Sequence, residues 1–155
     1  TLNPGGPNHE ELASLIGIYE YFNNLYDHHF DKLKNNIKDK IKKINELISN
    51  HEEIITNPLL EYINSRNDIR LIGKKKIENK NRAPTIAFTV KNLSSKEISS
   101  KLVKKGIATR NDNFYAWRCL KALGINTDDG VVRTSIVHYN THEDVEKLIN
   151  ALKTI

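Results

Sequence analysis

The residue best suited to binding rather than packing is Arg133, set in the apolar run Val131-Val132-Arg133-Thr134-Ser135-Ile136-Val137. A guanidinium is a planar fork of donors that stays charged. Within a strand it either closes a salt bridge at a sheet edge or offers two parallel hydrogen bonds to a carboxylate ligand. The local pattern alone favours the salt bridge. A second candidate is Asn3-Pro4-Gly5-Gly6-Pro7-Asn8, a glycine-rich stretch directly before a helical pattern. Backbone N–H groups at a helix start suit a phosphate, yet the spacing fits neither a dinucleotide fingerprint nor a P-loop. Local chemistry there favours a plain turn and N-cap. Cys119 lies between Trp117 and Leu120 in an amphipathic stretch, where a buried, inert thiol is expected. His28 and His29 are adjacent, so on a helix they point about 100° apart and cannot share a metal. His9, His51 and His138 stand alone, and no metal site is expected. No carboxylate pair sits in an apolar setting suited to acid–base work, and no nucleophile elbow occurs, so no catalytic residue is assigned.

These residues must be positioned by elements legible in the pattern. Asn8 caps a helix carrying Leu12, Leu15, Ile16, Tyr19 and Phe22, which runs to about Asn24. A one-sided helix follows through Leu33, Ile37, Ile41, Ile44 and Ile48. Asn57-Pro58 is expected to restart a short helix with Leu59, Leu60 and Ile63. The period then changes. Strands are predicted at 69–73 and 85–90, joined by a charged connection, 74–82, that composition leaves free to move. Ser94 with Glu97 opens a helix that stops at Gly106. Residues 107–109 form a short strand, 115–123 a helix ending at Gly124, 131–138 a strand, and Thr141 starts the last helix. The order predicts an α/β (α+β) two-layer fold, a small, mostly antiparallel sheet with helices on one side.

Composition narrows the function. The chain has 155 residues, 38% hydrophobic and 28% charged, enough for one respectable core. Apolar runs are too short to span a membrane, and no signal peptide is visible. With one cysteine, no internal disulfide is possible, and a cytoplasmic setting is the default. The net charge of +5 raises nucleic acid as a partner. The lysines, however, gather in 32–43 and 74–80, interleaved with Asp31, Asp39 and Glu46 in the first group and without aromatics to stack bases, so a solvated helix face is favoured.

Three segments carry a family resemblance. Gly106-Ile107-Ala108-Thr109-Arg110, Asn113-Phe114-Tyr115-Ala116, and Val132-Arg133-Thr134-Ser135-Ile136-Val137-His138-Tyr139-Asn140-Thr141-His142-Glu143-Asp144-Val145 resemble the end of class V aminotransferase, cysteine-desulfurase-like enzymes that use pyridoxal phosphate (PLP). Those enzymes show a G-I-x-x-R strand, an active-site loop, then R-x-S-x-x-x-Y-N-T-x-E-E-(V/I). Pro4-Gly5-Gly6-Pro7-Asn8-His9-Glu10 is similar to their P-G-T-P-N-x-E turn before the helix linking large and small domains. Residues 27–83 match in element order alone.

The resemblance implies the small C-terminal domain of a fold-type-I PLP protein, with 1–26 as cofactor-edge turn and linking helix and 27–155 as the small domain. It implies that Arg133 grips the substrate α-carboxylate and that Gly5, Gly6, Pro7 and Asn8 reach the cofactor phosphate of the partner subunit in a homodimer. Arg110 would line the active-site mouth. Tyr115 stands where desulfurases carry their nucleophilic cysteine, so persulfide formation has no acceptor. Gly6 stands where the family turn has threonine. The Schiff-base lysine of these enzymes lies upstream of the Pro-Gly turn. The 155 residues are therefore expected to be part of a longer chain, inactive alone and without bound PLP. The rival expectations are a degenerate homologue serving as an interaction module and, after it, a basic nucleic-acid binder.

Overall fold

The computed structural model describes residues 5–30, 36–78 and 80–155. It divides into two compact units, Thr1–Ile48 and Ser49–Ile155. Leu33, expected on the second helix, lies outside the described residues.

In the first unit, α1 (His9–His29) starts at Asn8, whose Oδ1 accepts from the N–H groups of Glu10 (3.1 Å) and Glu11 (3.2 Å). This satisfies two of the donors a helix start leaves orphaned. The helix outruns its expected end at Asn24 by more than a turn, because Tyr26 supplies a further buried anchor. The Tyr26 ring packs on Phe30 at 5.1 Å and beneath the Lys40 ammonium at 4.9 Å. Leu12, Leu15, Ile16, Ile18, Tyr19 and Tyr21 are exposed, spread around the helix rather than on one stripe.

The helix α2 (Ile37–Ser65) runs without interruption through Pro58. The expected restart does not occur. Proline removes the N–H that would bond the carbonyl four residues back. That carbonyl belongs to Ile54, which lies with Pro58 on the exposed side of the helix. The opposite stripe, Ile55, Leu59, Leu60 and Ile63, is fully buried and holds the helix together across the gap.

In the second unit, β1 (Ile69–Ile72), β2 (Thr85–Val90), β3 (Arg110–Asp112) and β4 (Val131–Ser135) form one antiparallel sheet in the order β1-β2-β4-β3. Strand alternation sorts the side chains. Ile69, Leu71, Ile86, Phe88, Val90 and Val132 face a core completed by α2, α3 (Ser95–Lys104) and α5 (His142–Leu152). On the other face stand three cross-strand rows: Arg110–Arg133–Ala87–Ile72, a row from Asp112 and Val131 to Thr89 and Arg70, and the pair Thr85–Ser135.

Three boundaries moved for identifiable reasons. The strand expected at 107–109 begins at Arg110, because the Ile107 N–H closes α3 on Leu102 O (3.1 Å) while Gly106, at φ +70°, bonds Val103 O. The strand expected to reach His138 leaves the ladder after Ser135. Ile136 still donates to Pro84 O (3.0 Å), but proline has no N–H to extend the pairing. The helix α4 (Trp117–Ala122) starts two residues late, since Phe114 and Tyr115 are left-handed.

The charged connection 74–82 is pinned rather than loose. Asn57 on α2 donates to Ile77 O (3.2 Å) and accepts from Ile77 N–H (2.9 Å), and Ile77 is buried in the core.

Candidate functional site

The face of the sheet turned away from the core carries the candidate site. Arg133 is half-buried on it and Arg110 exposed, directly opposite each other across the β4–β3 ladder. Among the described residues no carboxylate lies within ion-pair distance of either guanidinium. The internal salt bridge that the local pattern favoured for Arg133 is therefore not formed. Instead its guanidinium lies over the Phe114 ring, 4.1 Å from the centroid. Stacking on an aromatic face leaves the planar N–H donors directed outward, and is worth about 0.5–2 kcal/mol depending on exposure.

Phe114 reaches that position through an unusual backbone. Phe114 (φ +50°) and Tyr115 (φ +60°) are consecutive left-handed residues, a region that ordinary side chains avoid. Short bonds hold the segment there. Asn113 Oδ1 accepts from Tyr115 N–H (3.0 Å), and its Nδ2 donates to Thr127 O (3.2 Å). Asp112 Oδ1 accepts from Asn113 N–H (2.6 Å), and Ala116 N–H closes the turn on Asn113 O (2.8 Å). Gly130, at φ +73°, lets Asp112 and Asn113 pass close by: a Cβ there would sit 2.2 Å from Asp112 C and O.

The adjoining row is partly covered. Arg70 Nη2 donates to Leu123 O at the end of α4 (2.7 Å), and Val131 is buried. Ser135, two residues beyond Arg133, is exposed on the same face.

Arg133 and Arg110 are thus brought together, and the Phe114–Tyr115 loop joins them. Tyr115 itself is 97% exposed. Gly5, Gly6, Pro7 and Asn8 are exposed in the first unit. Among the described residues a Cβ on Gly5 or Gly6 would meet nothing within 4 Å, so these residues wall no phosphate cradle there, and the Asn8 side chain is spent on its cap. None of the described lysines is buried. These residues do not by themselves fit a PLP site. Cys119, expected to be buried, is exposed: α4 is six residues long and only Leu120 turns inward.

The Tyr139-Asn140-Thr141 motif does structural work. Asn140 Oδ1 accepts from Val137 N–H (2.9 Å) and its Nδ2 donates to Asp144 (3.2 Å). Thr141 and Asp144 form a reciprocal capping box that opens α5. The Asp144 carboxyl is held below the usual carboxylate range by the Thr141 backbone N–H, then by Asn140.

The family model for aminotransferase class-V matches residues 35–148. The chain belongs to this family. Relatives include the aminotransferase-like protein FGM3 of Gibberella zeae, 34% identical over 71% of this chain and 28% of its own length. A probable cysteine desulfurase of Borreliella burgdorferi is 31% identical over 97% of this chain and 31% of its own. Among solved structures, an apo cysteine desulfurase from Thermococcus onnurineus NA1 matches with TM-score 0.61 at 25% identity, over 74% of this chain and 28% of that one. The chain thus spans roughly three tenths of the length of these proteins. The fold is shared with the matched part of these cysteine desulfurase structures.

Phe114, Asn113 and Gly130 escaped the reading of single residues. Asn113 carried a usable signal, since asparagine readily bonds a backbone N–H two residues on. Phe114 carried none, because its contact with Arg133 depends on a left-handed backbone that phenylalanine rarely adopts.

Proposed function

We propose that this chain is the C-terminal, substrate-carboxylate-binding domain of a class V PLP-dependent enzyme, with Arg133 as the group that grips the α-carboxylate of an amino acid. The observation carrying this reading is an unpaired guanidinium braced on Phe114, on the one sheet face that the core helices leave open. A braced fork loses little side-chain freedom when it binds, which improves affinity without a new contact. In the whole protein, residues 1–26 are the turn and linking helix and 27–155 the small domain. Other polypeptide holds PLP, the assembly is a cytoplasmic homodimer, and the 155 residues alone are inactive. Tyr115 in the position of a desulfurase cysteine supports a reaction other than persulfide formation.

The test is a nitrogen-detected NMR titration of the Arg133 Nε–H with L-alanine and with L-alaninamide. One charge-assisted hydrogen bond, worth about 1.5–3 kcal/mol, gives a Kd on the order of 10–100 mM. L-Alanine is expected to shift Arg133 saturably, and L-alaninamide to leave it in place. Equal shifts with both compounds, or none with either, refute the assignment.

A further inference from the structure

Arg110 is the unexplained group on this face. It is the direct cross-strand partner of Arg133, so the two Cβ atoms lie about 4.5–5.5 Å apart on one side of the ladder, and like charges so placed repel. The other charged side chains of the face, Arg70 and Asp112, form no ion pair with either arginine. Arg70 reaches Leu123 O, and the Asp112 carboxylate accepts the Asn113 N–H. Beyond the two arginines the row continues into Ala87 and Ile72, uncharged and only partly buried. Two free forks therefore stand side by side at one end of an otherwise neutral row.

We infer that the site takes an amino acid with a second acidic group on its side chain, the α-carboxylate on Arg133 and the side-chain carboxylate on Arg110. This inference rests on the reading of Arg133 given above and extends it to substrate class. One anion would neutralise one arginine and leave its neighbour repelling; a pair of anions a few bonds apart satisfies both. Arg110 lies on the edge strand and is exposed, so it is free to follow side chains of different length. It acts as a specificity determinant, with Arg133 fixed and Arg110 adaptable.

The probes are L-glutamate and L-glutamine, nearly equal in shape and one charge apart, titrated into the 155-residue chain at matched ionic strength with the Arg133 and Arg110 Nε–H signals followed. Glutamate is expected to bind roughly tenfold more tightly, the value of one added charge-assisted bond, and to shift both arginines. Arg110→Leu should erase that preference, so that glutamate and glutamine bind the variant with equal affinity. Arg110→Lys, which keeps the charge without the fork, should retain part of it. Arg118→Gln, an exposed charge on α4, should change nothing. Equal affinities in the parent chain, a preference that survives Arg110→Leu, or one that Arg118→Gln removes equally would overturn the inference alone. Failure of both amino acids to shift Arg133 would sink the carboxylate site itself, and this extension with it.

Discussion

Replacing Gly130 by alanine should loosen the site from behind. The added Cβ would lie 2.2 Å from Asp112 C and O and 2.6 Å from Asn113 N, all backbone atoms that cannot swing aside as a side-chain tip does. Reaching the 3.4 Å at which ordinary contact begins requires β3 and β4 to part by about 1.2 Å just where Asp112 pairs with Val131. Alanine at φ +73° adds a left-handed penalty of about 1–2 kcal/mol. Forcing apart a packed contact adds about 1–3 kcal/mol, so the sum is about 3 kcal/mol. Gly124 provides the control. It is equally left-handed at φ +66°, but a Cβ there meets nothing within 4 Å, so Gly124→Ala should carry the dihedral penalty alone. In thermal unfolding followed by circular dichroism, Gly130→Ala should lower Tm by roughly 10 °C and Gly124→Ala by roughly a third of that. Because Asn113 anchors the turn that aims Phe114, Gly130→Ala should also move the Arg133 Nε–H resonance, and Gly124→Ala should not. Equal losses of Tm in the two variants would refute the close-approach argument.

Asn57→Ala should leave the Ile77 N–H and C=O without their partners, lowering stability by about 2–3 kcal/mol in urea unfolding. It should also speed tryptic cleavage at Lys74, Lys75, Lys76 and Lys80; unchanged cleavage would show that the connection is held by something else. The Asp144 carboxyl is depressed in the folded chain, so the stability it contributes is present above the ordinary carboxylate range and lost as pH falls through the lowered value. Carbon-detected titration should find Asp144 below a normal aspartate, and Asn140→Ala should bring it part of the way back; a normal value in the parent chain contradicts the capping box at Thr141. The Glu52 carboxyl moves the opposite way, raised chiefly by burial. Its ionisation therefore disfavours the fold, and Glu52→Gln should raise Tm at neutral pH more than at pH 4, where the carboxyl is largely protonated in both states.

Much of the fold was legible because local chemistry and packing agree. Ser94 with Glu97, Thr141 with Asp144, and Gly106 and Gly124 mark helix ends that tertiary contacts do not contest. The alternation of Thr85–Val90 survives because one side of β2 is core and the other open. The errors fell where local rules compete with distant contacts. Pro58 signals a break, but four buried aliphatic side chains on the far side of α2 outweigh one lost hydrogen bond. Cys119 reads as buried within its window, yet a six-residue helix presents one inward position. Arg133 was visible as an anomaly in an apolar strand. Its freedom from a salt bridge was not, because that depends on which residues the register of β3 sets beside it: Arg110 opposite, and no carboxylate close enough to pair.

The most direct check is the reactivity of Arg133 toward phenylglyoxal, mapped by mass spectrometry with and without 100 mM acetate. An accessible, unpaired guanidinium should be modified, with acetate slowing its modification more than that of Arg118. An Arg133 that resists the reagent, or reacts at the same rate whether or not acetate is present, would contradict the account.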